Sequence, residues 1–297
     1  MSEYTRVFLS IDWDFFVRSM GIWDWGHRET PFFMSSFVWM ERFASFWAQG
    51  IDIREEMDPD THAYPRPDSF WSLLSQMGYD FSECTDISVA ESHAAAGPVF
   101  YQLTREVGVP TYIVNFDAHH DAGYVKWGEL RQSIKAGSCA CDTWVCALMC
   151  WLDEVSFRIV LPNWMKEECE ISEQVKVIHR ANPKKMWSRI AVDWFMDPQQ
   201  QTINSIVSRP GQRLVVDGIF ICRSGAWTPP WLDTQFVNFV RGAEREVGVK
   251  ATWASEGRQI DRELNPMRPR EWDVKQAKAF GDMMREQIEA FRNRKED

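Results

Sequence analysis

Short β-branched and aromatic runs recur along this chain, each followed by a stretch of helical character, and this alternation most constrains its fold. VFLSIDWDFF (7–16), TDISVAESH (85–93), PTYIVNFDAHHD (110–121), VSFRIVLP (155–162), QVKVIH (174–179), RIAVDWF (189–195) and RLVVDGIFICRS (213–224) read as strands. Such nearly continuous apolar runs belong to strands buried on both faces. Residues 31–49, 69–77 and 94–108 read as helices, and 272–295 as an amphipathic helix that ends in a charged tail. The pattern predicts an α/β three-layer sandwich with a mostly parallel central sheet. A length of 297 residues and an apolar content of 45% suffice for one such core. No repeat or low-complexity segment divides it, so a single domain over 1–297 is expected. The charged, Pro-containing stretch 50–68 reads as a surface loop.

No leader-like apolar segment and no run of about 18 apolar residues occurs, so the chain is expected to be cytoplasmic and to have no membrane partner. Seven cysteines are an odd number with no small-scaffold framework, and reduced thiols are the default. Cys139, Cys141, Cys146 and Cys150 have C-x-C and C-x3-C spacings but lack the second pair of a structural zinc site. A net charge of −10 opposes binding to nucleic acid and suits a cationic substrate. Sixteen Trp and 19 Phe imply either a deep aromatic core or an aromatic-lined groove. No feature fixes an oligomeric state.

In a parallel sheet, ligands bind at the carboxyl ends of the strands. Three predicted strands carry ionisable residues there: Asp12 and Asp14 after VFLSI, Glu91 and His93 after ISVA, and Asp117, His119, His120 and Asp121 after YIVNF. Strand alternation would put Asp12 and Asp14 on one face, and likewise Asp117 and His119. A D-x-D at a strand end is on its own an ordinary turn or cap feature, and a lone His93 an ordinary hydrogen-bonded histidine. DAHHD is different, because four ionisable residues at a buried sheet edge are costly without compensation. Four clustered carboxylates would repel one another unless protonated or bound to cations. Oxygen donors with a minority of imidazole suit a hard or borderline divalent ion such as manganese, and six donors suit two ions.

IVNFDAHHD resembles the D-A-H-x-D segment of the arginase and agmatinase (ureohydrolase) family. LSIDWDFF resembles its S-x-D-x-D segment and AESH its G-G-D-H segment. The match is closer to an arginase-like family with D-x-D-F-F and E-x-H, which includes peptide arginases of ribosomal peptide pathways. VDGIFICRSGAWTPPWLD (216–233) is similar to that family's late strand and Ser-containing turn. The resemblance implies two Mn2+ ions, other divalent ions being possible, bridged by hydroxide. His93, Asp117, Asp121 and Asp12 would hold one ion, and His119, Asp14, Asp117 and Asp12 the other. Asp121 would also accept a hydrogen bond from the hydroxide and act in catalysis, while His120 would point away or line the rim.

The order of the motifs departs from the family. The S-x-D-x-D-like strand opens this chain, as in a circular permutation, which a fold with neighbouring termini tolerates. The usual proton-shuttling His is absent from AGSCACDTWVCALM, which leaves Cys139, Asp142 or water for that role. SGAWTPP lacks the acidic residue that grips a guanidinium, and Glu91 and Asp142 are the candidate substitutes for binding substrate. The resemblance thus implies hydrolysis of a guanidino C–N bond in an arginine-containing peptide or a small guanidino compound. GIWDWGHRETPFF (21–33) would offer Trp and Asp to a peptidyl arginine. A free-arginine or agmatine-type ureohydrolase, a deacetylase-like amidohydrolase with one zinc, and a non-catalytic metal-containing peptide-binding module are the alternatives.

Overall fold

The computed structural model describes residues 4–19, 32–107, 111–137, 139–195, 213–254 and 265–293. Its strands are β1 (Tyr4–Asp12), β2 (Tyr79–Asp80), β3 (Asp86–Ala90), β4 (Thr111–Phe116), β5 (Val155–Leu161), β6 (Ile190–Trp194), β7 (Arg213–Cys222) and β8 (Thr252–Trp253). The helices are α1 (Phe32–Ala48), α2 (Ile53–Glu56), α3 (Pro59–His62), α4 (Phe70–Gln76), α5 (Ala96–Val107), α6 (Trp127–Lys135), α7 (Trp144–Trp151), α8 (Ile171–Ala181), α9 (Lys184–Trp187), α10 (Asp233–Val247) and α11 (Val274–Asn293). Eight strands form one sheet in the order β6-β5-β4-β1-β7-β3-β8, with β2 also on β7, and every pairing is parallel. The α/β three-layer sandwich expected from the sequence is therefore present.

Alternation along β1 explains the layers. Val7, Leu9 and Ile11 enter a core that also takes Trp39, Phe43, Phe70, Phe236 and Phe239 from α1, α4 and α10. Phe8 faces the opposite side, where Phe100, Trp144 and Leu148 of α5 and α7 cover the sheet. Most of the aromatic surplus is spent in these cores. Trp13, Phe15, Phe16, Phe70, Phe116, Phe195 and Phe239 interlock edge to face or tilted, with Phe15–Phe16 centroids at 5.1 Å and Phe16–Phe239 at 5.0 Å. No helix among the described residues is long and apolar enough to cross a membrane.

Two sequence expectations fail. QVKVIH lies inside α8, because burial at Ile171, Gln174/Val175, Ile178 and Ala181 follows the helical repeat and the V-K-V alternation is incidental. The 50–68 stretch holds two single-turn helices, capped by Asp52 and Asp58, with Ile53, Met57 and Pro59 buried against the core.

β1, first in the chain, is central in space. It lies between β4 and β7, and the chain passes from β1 to β3 on one side before returning to β4 on the other. This reversal leaves a crevice at the carboxyl ends of the middle strands. Register aligns those ends: Ile11 is level with Phe116, Asp12 with Cys222, and Ala90 with Cys222.

Candidate metal centre

Turns rather than strand alternation aim the predicted ligands. β1 stops at Asp12, and Trp13–Phe16 form a 3-10 turn whose cap is Asp12, accepting the Asp14 N–H at 3.1 Å. β4 stops at Phe116, and Asp117 Oδ1 accepts the His119 N–H at 2.7 Å. β3 stops at Ala90, and Ser92 caps the short turn that begins at His93. Side-chain oxygens satisfy the N–H groups that the sheet edge leaves open, so a polar strand end folds over locally. Asp14 is thereby turned toward β4, where its Oδ1 accepts the Ala118 N–H at 3.3 Å.

The ligands form two groups. In the first, three carboxylate oxygens surround His93 Nδ1: Asp12 Oδ2 at 3.1 Å, Asp117 Oδ2 at 3.1 Å and Asp121 Oδ2 at 2.9 Å. One imidazole nitrogen cannot serve three carboxylates, and Nδ1 is buried without a hydrogen bond of proper geometry. Donors about 3 Å apart around a common centre match neighbouring ligands on a small divalent ion with bonds of about 2.1 Å. The Ser10 hydroxyl at 2.8 Å from Nε2 fixes the other side of the ring.

The second group joins His119 Nδ1 to Asp14 Oδ2 at 3.0 Å and Asp117 Oδ1 at 3.7 Å. Asp14 Oδ2 is also buried without a hydrogen-bond partner. Asp117 thus presents one oxygen to each group, and Asn115 Nδ2 at 3.1 Å orients the oxygen facing His93. The structure shows Asp12 only in the first group, its other oxygen accepting the Asp14 N–H.

Comparison with protein-family models, curated proteins and solved structures finds no match. The site is therefore interpreted from its own geometry.

The electrostatics fit a cation-binding site. Burial, and then the charge of Asp12, push Asp14 up to about 7. Burial and Asp117 raise Asp121 well above the ordinary carboxylate range. Burial alone would raise Asp117 too, but His119 and His93 hold it well below that range. Burial works against charging His93 and His119, yet the surrounding carboxylates raise both well above the usual histidine value. Backbone strain also concentrates here. Among the described residues the non-glycine positive φ angles belong to Asp121 (φ 49°) and Ser224 (φ 53°). Each such conformation costs about 1 kcal/mol or more and persists only when its surroundings impose it. Trp144 Nε1 donates to Asp121 Oδ2 at 2.7 Å, and Ser224 Oγ donates to Asp12 Oδ2 at 2.8 Å.

A cavity of about 30 Å3 lies over the ligands, closed by Tyr124, Cys141, Asp142 and Trp227. It has room for small ions and about one or two waters. Of the two substrate-binding candidates, Asp142 lines this cavity. Glu91 does not, because Arg223 holds its carboxylate at 2.6 Å. Cys139 Sγ donates to the Ala94 carbonyl at 3.5 Å. Cys146 donates to the carbonyl of Ala122 at 2.9 Å, while Cys150 is exposed. His120 belongs to neither metal group, but it is fully buried rather than at a rim. Its ring stacks on Tyr124 at 4.2 Å, and Nδ1 accepts the Ala122 N–H at 3.0 Å. Of the 21–33 segment expected to meet a peptidyl arginine, residues 21–31 lie outside the described residues.

Ser10, Ser224, Trp144, Tyr124 and Trp227 were not singled out by sequence. Ser224 stands in the turn of the 216–233 resemblance and could have been found there. No local signal marks Trp144, whose role depends on how α7 packs.

Proposed function

We propose that the chain is a two-metal hydrolase of guanidino C–N bonds, with manganese as its ion and peptide-borne arginine as its preferred substrate. The observation that carries this reading is the sharing of Asp117 between two Asp/His groups, one buried and the other part-buried at His119. His93, Asp12, Asp117 and Asp121 would hold one ion, and His119, Asp14 and Asp117 the other. When bound, such ions lower the pKa of water toward neutrality and stabilise negative charge as a tetrahedral carbon forms.

The chain's own residues supply the rest. Ser224, Asn115 and Trp144 orient the ligand carboxylates through hydrogen bonds. Trp227, whose ring centroid is 5.5 Å from that of His119, and Asp142 line the small cavity, which would have to widen between them to admit a guanidinium. They offer a stacking plane and a charge partner. Asp121 takes a proton from the attacking water and returns it to the departing amine. A one-zinc, deacetylase-like site would leave the Asp14–His119 group without a role, which favours the two-ion reading.

The test is urea release from manganese-loaded protein, incubated in parallel with arginyl peptides and with free arginine. Urea from peptides at the higher kcat/KM is expected. Urea from free arginine alone refutes the peptide preference, and urea from neither refutes the reaction.

A further inference from the structure

Away from the metal cavity, α6, α7 and α9 enclose a groove of about 860 Å3. Its floor is apolar and buried, formed by Ile134, Met149 and Met186, with Trp127 and Trp151 as walls. Its rim carries Arg131, Lys135, Lys185 and Arg189 against one carboxylate, Asp153. Arg131, Lys135 and Lys185 are exposed and have no carboxylate partner among the described residues. Among the described residues Arg189 donates to backbone carbonyls, those of Lys185 at 3.2 Å and Asp153 at 2.6 Å, and has no carboxylate partner. Arg131, Lys185 and Arg189 all act electrostatically on the Cys150 thiol, which places their charges together. Trp151 also lines a second cavity of about 780 Å3 along α5, where Arg105 adds a further cation. The two cavities meet at Trp151.

On a chain of net charge −10, such a concentration of unpaired positive charge reverses the local field. We propose that this groove binds an extended acidic polypeptide segment, its carboxylates pairing with Arg131, Lys135, Lys185 and Arg189 and its apolar side chains packing on Trp127 and Trp151. The lining favours a peptide over a phosphate-dense ligand. Its apolar floor has no use for phosphate, and the whole chain's charge repels a nucleic acid. At about 1.5 Å per helical residue, α6 alone gives a track of roughly 13 Å. About four extended residues span that length at roughly 3.3 Å each.

The groove is separate from the metal ligands, and the proposal stands whatever reaction they perform. The test is fluorescence anisotropy of the full chain, without added metal, with a fluorescein-labelled peptide of Glu, Leu and Gly. A Lys-for-Glu counterpart, single-stranded RNA and inorganic triphosphate are the comparators. Saturable binding of the acidic peptide, weakened by salt and by at least about tenfold in R131E/K185E, is expected. Circular dichroism checks that the variant folds, and K250E, on another surface, should bind as the parent chain does. The bound peptide should also protect Cys150 from alkylation, read by peptide mass mapping. No saturable binding, equal binding of the Lys counterpart, tighter binding of RNA or triphosphate, or an unchanged R131E/K185E would each overturn the proposal.

Discussion

Replacing Asp117 by Asn should strip the site of both ions, whereas replacing Asp14 should remove one. Asp117 is the carboxylate that divides its oxygens between the groups, Oδ2 being 3.1 Å from His93 Nδ1 and Oδ1 3.7 Å from His119 Nδ1. Asparagine keeps the size but loses the charge, and it must turn its NH2 toward one of the groups. A unit charge about 4 Å from its partner is worth about 4 kcal/mol at an effective dielectric constant of about 20. A loss of that order corresponds to about a thousandfold in affinity. Asp14 touches only the His119 group, through Oδ2 at 3.0 Å. The assay is manganese content per chain after dialysis, by plasma mass spectrometry, with near-UV circular dichroism to confirm folding. The expected content is two ions for the parent chain, one for D14N and none for D117N. Two ions retained in D117N, or equal losses in both variants, would refute the shared-carboxylate geometry.

Metal uptake should release protons. Without an ion, Asp14 is raised to about 7, Asp121 is raised, and His93 and His119 hold protons above the usual histidine value. An ion takes only deprotonated donors, so affinity rises with pH through this window and falls as pH drops below it. Calorimetry in buffers of different ionisation enthalpy between pH 6 and 8 reads the proton count, and a flat affinity would contradict the reasoning. His120→Ala should destabilise the fold by about 2–4 kcal/mol, through a cavity and a stranded Ala122 N–H, while the manganese content stays at two. A change in metal content with stability intact would instead place His120 in the site.

The layered fold was legible because both faces of the sheet are covered, so β1, β3, β4, β5 and β7 appear as predominantly apolar, β-branched and aromatic runs. QVKVIH misled because a short helix with apolar residues on one face also passes for alternation, and only burial at Ile178 and Ala181 separates the two. That the six candidate ligand positions would gather at one edge was legible for a related reason. Each follows an apolar run directly, and parallel strands deliver their carboxyl ends to one edge. How they converge was not legible. Asp14 reaches the site through a capped turn and not through strand alternation, and Glu91 is removed from it by Arg223 of β7's exit turn. The cap itself is local, but the Asp14–Ala118 and Glu91–Arg223 contacts that fix where each side chain ends up join residues 104 and 132 positions apart, which no local pattern records.

The same long-range contacts explain how turns, ordinarily the most mobile parts of a parallel sheet, hold a site rigid. The turn after β7 is anchored from beneath. Arg223, fully buried, binds Glu91 and Asp233, while Arg270 binds Asp233 and the carbonyls of Gly225 at 2.6 Å and Thr228 at 2.8 Å. A side chain at Gly225 would collide with Glu91 and Arg270, so the close approach requires glycine. This clamp places Ser224 in its left-handed conformation and aims its hydroxyl at Asp12. The turn after β4 is held from α7 through Trp144 and Asp121. Buried ion pairs of this kind offset much of their own desolvation and so add little net stability. Their contribution here is positional: they brace the turn that carries Ser224, while the Trp144 hydrogen bond braces Asp121, and side chains from the ends of β1, β3, β4 and β7 come within hydrogen-bonding distance of one another.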